Sequence, residues 1–151
     1  MIPMRFKVCL TAATLAAAMT ASLVAGYNIT RGGHARCFDH WKAPRSARTM
    51  VNPIPATAAS IHSGQVVYTQ NCEACHGHNG KGDGPTGAFL SPHPANFTRP
   101  QFWKQSDGDI FWKITHGHSP MPSFQGSLSR HQRWDVINYL HKEFDPAGGG
   151  K

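Results

Sequence analysis

Four stretches of the chain carry a readable pattern of apolar and polar positions. Val8–Ala25 is uncharged and rich in Ala, Leu, Val and Thr, directly after Arg5 and Lys7. Ala58–Gln70 places Gly64, Val67 and Tyr68 at i, i+3, i+4 spacing, which predicts a helix with one buried face. Ser60 is its expected N-cap. Gly64 is a poor residue for a helix interior, and a close approach by another helix would explain it. Ser106–His116 predicts a second helix with Ile110, Phe111 and Ile114 on its apolar face and Gly117 to end it. Ser106 and Asp109 resemble a capping box. Leu128–Phe144 predicts a third, opened by Ser129 and Gln132 and striped by Val136, Ile137, Tyr139 and Leu140.

The intervals read differently. Tyr27–Thr57 has no sustained period and contains Gly32-Gly33, Pro44, Pro53 and Pro55, so it is expected to be an irregular linker. Gly77–Pro85 is so rich in glycine that it predicts a loop. It is a weak phosphate cradle, since no strand precedes it and no GK[ST] follows. Helical periods dominate the readable stretches. The expected organisation is a leader at 1–26, a linker at 27–57, a folded domain at 58–145 and a glycine-rich tail at 146–151.

The leader has a basic start followed by an apolar run, the form of an export signal. The run is also close to the minimum for a membrane span, so a cleaved signal and a retained N-terminal anchor through residues 8–25 both fit. Either way the basic start stays inside and the rest is exported.

Cys72-Glu73-Ala74-Cys75-His76 is the point to which the other elements refer. Two cysteines three positions apart, with histidine directly after, form the c-type haem attachment motif. The thiols of Cys72 and Cys75 would form thioethers with the two vinyl groups on one haem edge, leaving His76 beneath the ring to coordinate iron. A structural zinc site is the bland alternative, but no second CxxC exists, and adjacent Cys75 and His76 point poorly for one tetrahedral ion. The expected architecture is three to four helices and long loops wrapped around one covalent haem c.

An electron-transfer haem needs a second axial ligand. Met1, Met4 and Met19 are in the leader, and Met50 precedes the first helix. Met121 remains, held between Pro120 and Pro122, which restrict the loop. His116 and His118 compete for the role, and core filling is the plain reading of Met121.

The formal charge of +7 invites a nucleic-acid reading. Seven of the 15 Lys/Arg precede residue 50, where Asp39 is the only acid, leaving eight against seven acids beyond it. The basic excess therefore belongs to the leader and linker, and the domain has no basic stripe interleaved with aromatics.

From about Ser60 to Phe144 the chain resembles class I mono-haem c-type cytochromes. The resemblance rests on Gly64 and Tyr68 upstream of the motif, the glycine loop, Pro92, Met121 and Trp134-Asp135-Val136-Ile137-Asn138-Tyr139-Leu140. It implies an all-α cytochrome c fold in which the first and last helices cross, with Gly64 and Tyr68 meeting Val136 and Tyr139. It further implies a carbonyl near Pro92 accepting from the Nδ1–H of His76, and propionates held by Asn96, Arg99 and Trp103. The segments Gly82–Pro85, Pro94–Phe97 and Ile114–Pro122 look like a bacterial subset that serves membrane-bound respiratory complexes as haem subunits or donors.

The expected function is one-electron transfer in the periplasm, by a soluble or membrane-tethered protein. The expected partners are redox proteins such as a quinol-oxidising complex, an oxidase or a dehydrogenase, not nucleic acid. The competing hypothesis is a haem enzyme or gas sensor with a labile distal site.

Overall fold

The computed structural model describes residues 41–148. The leader, the linker up to His40, Cys9, Cys37, Met1, Met4, Met19 and residues 149–151 lie outside the described residues. Five α-helices follow in order: α1 Arg45–Arg48, α2 Ala58–Asn71, α3 Glu73–His76, α4 Asp107–His116 and α5 Arg130–Phe144. Single 3₁₀ turns form at Gly87–Phe89 and Phe102–Lys104. Among the described residues there is no strand beyond one isolated bridge, His118 to Met121, and no helix long and apolar enough to cross a membrane.

Both expected capping boxes form. Ser106 accepts from the Asp109 N–H while the Asp109 carboxylate accepts from the Ser106 N–H, and Ser129 and Gln132 do the same for α5. The N-cap of α2 is Thr57 rather than Ser60, its side chain accepting from the Ser60 N–H. Ser60 is buried inside the first turn and donates to the Asp135 carboxylate at 2.6 Å, so its hydroxyl serves a tertiary contact. Leu128, expected inside the last helix, lies just before it because Ser129 is the cap.

The α2–α5 crossing is the centre of the molecule. A Cβ on Gly64 would fall on the Asp135 carbonyl and come within 2.8 Å of the Tyr139 Cβ, so only glycine permits this approach. Tyr68 stacks obliquely on Tyr139 and Phe144, each at 5.4 Å between centroids. Helix α5 is buried along every residue from Arg133 to Leu140. Trp134, Tyr68, Ile137 and Val136 are the largest fully buried side chains. Burial of each such side chain contributes about 1.5–3 kcal/mol.

Burial of α5 from Arg133 to Leu140 brings Asp135 and Asn138 inside, and both are paired. Asp135 accepts from Ser60 and Ser63, and Asn138 donates to Ser60 at 2.8 Å and to the Ile54 carbonyl at 3.1 Å. Asn52 donates to the Asn138 carbonyl oxygen at 2.8 Å. The stretch before α2, expected to be irregular, is thus bound to α5, and it carries the α1 turn with Ala43 and Ala47 buried.

Candidate haem site

Cys72, Cys75 and His76 issue from one turn. Helix α2 ends as the Cys72 N–H donates to the Tyr68 carbonyl. The chain turns at once into α3, where the N–H groups of Cys75 and His76 both donate to the Cys72 carbonyl, at 3.1 and 2.9 Å. Both cysteines are free and half-buried. Burial, with Cys75 nearby, pushes the Cys72 thiol up to about 12.

The glycine loop closes over this turn. The N–H groups of Gly82, Gly84 and Thr86 donate to the carbonyls of His76, Cys75 and Ala74 at 2.8, 3.2 and 2.9 Å. These are the carbonyls that a helix end leaves without partners. Gly77 turns the chain at φ +80°, where a side chain would be strained and would strike the Asp83 carboxylate. Its carbonyl accepts from the Tyr68 hydroxyl at 2.6 Å. Burial holds that phenol well above its usual pKa, so it stays a neutral donor.

His76 is oriented from two sides. Its Nδ1 lies 3.1 Å from the Ala95 carbonyl, which can only accept, so Nδ1 carries the proton. Its ring stacks on Phe97 at 4.5 Å and 17°. Burial lowers its pKa, which keeps the imidazole neutral, while the bond to Ala95 works against that shift. The accepting carbonyl, expected near Pro92, is that of Ala95, and Pro92 itself is exposed. The reason is local: the Phe97 N–H donates to the Gly80 carbonyl at 2.7 Å, pinning residues 95–97 beside the motif.

The three candidate distal ligands separate clearly. His116 is exposed, its Nδ1 bonded to the Trp112 carbonyl and its ring stacked on Trp112 at 4.4 Å. His118 is exposed and stacks on Trp41 at 5.4 Å. Met121 is half-buried and packs against the hydrophobic core, as does Cys72. Its loop is pinned by paired bonds between the backbones of His118 and Met121, at 2.9 and 2.8 Å. Ser123 Oγ to the Thr115 carbonyl at 2.7 Å and the Phe124 N–H to the Ile114 carbonyl at 3.1 Å anchor the loop to the end of α4.

The expected propionate residues are dispersed in their roles. Asn96 Oδ1 accepts from the N–H and hydroxyl of Thr98, at 2.9 and 2.7 Å. Trp103 Nε1 donates to the Phe97 carbonyl at 2.7 Å, and its ring lies against Phe102 and His141. Arg99 is exposed. Phe97 is the platform for the His76 ring, and the Ala95 carbonyl is its acceptor. A backbone acceptor has no side-chain signature to find in a sequence.

The donor set fits a covalent haem: two free thiols and an imidazole committed at Nδ1, leaving Nε2 for iron. Residues 59–140 match the family model described as cytochrome C oxidase, cbb3-type, subunit III. The chain is 32% identical over 85 residues to cytochrome c6 of Thermosynechococcus vestitus, covering 56% of this chain and 71% of that one. It is 33% identical over 86 residues to cytochrome c6 of Synechococcus sp. (strain ATCC 27167 / PCC 6312), covering 57% and 72%. A solved structure, the Kuenenia stuttgartiensis reducing HAO-like protein complex Kustc0457/Kustc0458, aligns with a TM-score of 0.54 and 30% identity. That alignment covers 62% of this chain but only 47% of the solved one.

Proposed function

The chain belongs to the cytochrome c family, as a class I mono-haem member with an all-α fold and one covalent haem c, and from that premise we propose that it is a one-electron carrier with His76 and Met121 as axial ligands. Haem-based electron transfer is the function of the family. When bound, the haem supplies the ferric/ferrous couple. The chain's own residues supply the rest. Cys72 and Cys75 would hold the group covalently beside the α3 turn. His76, with its proton held at Nδ1 by Ala95, presents an unprotonated Nε2 and cannot rotate away from it.

Met121 is supported as the distal ligand by its burial against the core and by the outward engagement of His116 and His118. A thioether in that place raises the potential relative to a second imidazole. With His76 and Met121 both on the iron, no open position would remain for a substrate. The observation that carries this reading is the single turn that joins two free thiols to an imidazole already oriented by Ala95.

The export leader supports action outside the cytoplasmic membrane, in a bacterial respiratory or dehydrogenase chain, with a quinol-oxidising complex, oxidase or dehydrogenase as partner. Residues 1–26 act there as a cleaved signal or as the tether of a haem subunit. The folded domain follows.

The test is Met121→Ala in protein matured in an exporting host. Haem should remain attached, the redox titration should stay a one-electron curve, and the midpoint should fall. An unchanged midpoint would assign the distal place to His116 or His118.

A further inference from the structure

A groove of about 400 Å³ lies between α1, α4 and the start of α5, away from the haem-binding turn. Its walls are largely apolar, with Pro44, Ala47, Met50, Phe111 and Trp112 contributing, and Arg133 lines it as well. Arg133 is only 8% exposed, yet among the described residues it has no carboxylate partner. Its one hydrogen bond runs from Nη1 to the Thr115 hydroxyl at 2.8 Å, its guanidinium carbon stands 5.0 Å from the Phe111 ring, and its buried Nε is bonded to nothing.

The surroundings add positive charge and no negative charge. Arg130, one turn earlier, also lines the groove and stands 5.3 Å over Phe111. The first turn of α5 contains no acidic residue, and a helix N-terminus carries partial positive charge of its own. A buried guanidinium without a counter-ion is costly, and one place for the missing anion is the groove it faces. Three of the five apolar wall residues, Pro44, Ala47 and Met50, precede residues 59–140, so chain outside the matched family domain completes the groove.

We propose that this groove binds a small amphiphilic carboxylate, its anionic end paired with Arg133 and Arg130 and its apolar body against Met50, Phe111 and Trp112. Carboxylate is the acceptor whose geometry suits a guanidinium fork, and the wall chemistry requires an apolar remainder. The ligand is bound, not transformed.

The test uses the full-length holoprotein, titrated with sodium octanoate and followed by amide and indole NMR shifts. Saturable shifts at Ala47, Trp112 and Arg133 are expected, with octanol and acetate each at least about tenfold weaker, the scale of one charged hydrogen bond or of a lost apolar body. Arg133→Gln should weaken octanoate by about tenfold or more. Because Arg133 also packs on Phe111, a second variant keeps it intact: Ser46→Trp, at an exposed lining position, fills the groove and should abolish the shifts. Octanol binding as tightly as octanoate, acetate or inorganic phosphate doing the same, or shifts that persist in Ser46→Trp would each overturn the proposal.

Discussion

At the residue scale, the properties of the site come from groups that hold its ligands rather than from the ligands alone. Tyr68 is one. Its hydroxyl donates to the carbonyl of the residue directly after His76, inside the core. Removing it leaves that carbonyl with the Gly80 N–H alone, at 3.0 Å, so Tyr68→Phe should destabilise the holoprotein by about 1 kcal/mol, measured by denaturant unfolding. The haem should remain attached, since both thiols and the bond from His76 to Ala95 are untouched. Loss of attachment in that variant would place Tyr68 in the site itself. The residues that the sequence made legible are those with fixed spacing: Cys72, Cys75 and His76. The orienting acceptor was not legible to the residue, because a carbonyl belongs to every residue and only the tertiary bond of Phe97 to Gly80 selects Ala95.

At the element scale, the three main helices were readable because each combines a 3.6-residue apolar stripe with capping chemistry at its start. Gly64 pointed to a close approach by another helix, and the resemblance implied that the partner was the last one. The crossing makes Gly64→Ala a sharp test. Its methyl would meet backbone, which cannot swing aside as a flexible side chain can. Overpacking of this kind costs about 1–3 kcal/mol, so the variant should show a lower unfolding midpoint at unchanged denaturant slope. What the pattern did not reveal is the polar interior of α5. Asp135 and Asn138 look like solvent-facing positions by period, yet both are buried: Asp135 faces Ser60 and Ser63 of α2, and the chain before α2 covers Asn138. The same covering holds residues 52–55, expected as an irregular linker, against α5: Asn52 donates to Asn138, and Asn138 donates to the carbonyls of Ile54 and Pro55.

At the scale of the whole molecule, His141 joins the two helices that flank the aromatic core. Its Nε2 lies 2.7 Å from Asp107 at the start of α4, and its Nδ1 lies 3.3 Å from Asp145 just beyond α5. Trp103, from the loop between, covers the ring at 4.5 Å. Two carboxylates facing two ring nitrogens favour the imidazolium. The hydrogen bond to Asp107 is the largest cause of its raised pKa, and burial opposes it. A raised folded-state value means the imidazolium form stabilises the native state. That contribution is complete below the ordinary value of 6.5 and is lost as pH rises through the raised one. Unfolding free energy of the wild type should therefore fall across that window, and Asp107→Asn should flatten the fall. Equal slopes in the two proteins would remove His141 from the pH dependence.

The central claim concerns the iron's coordination: His76 on one side, Met121 on the other, and no open place. Carbon monoxide tests it most directly, because it binds ferrous haem only where an axial position is free or readily vacated. The measurement is rapid mixing of the reduced holoprotein with carbon monoxide at neutral pH, followed by absorption. The account predicts no binding in the wild type on the mixing timescale and prompt binding in Met121→Ala. Prompt binding in the wild type would contradict it and leave a haem with a labile distal site, made for a ligand rather than for passing electrons.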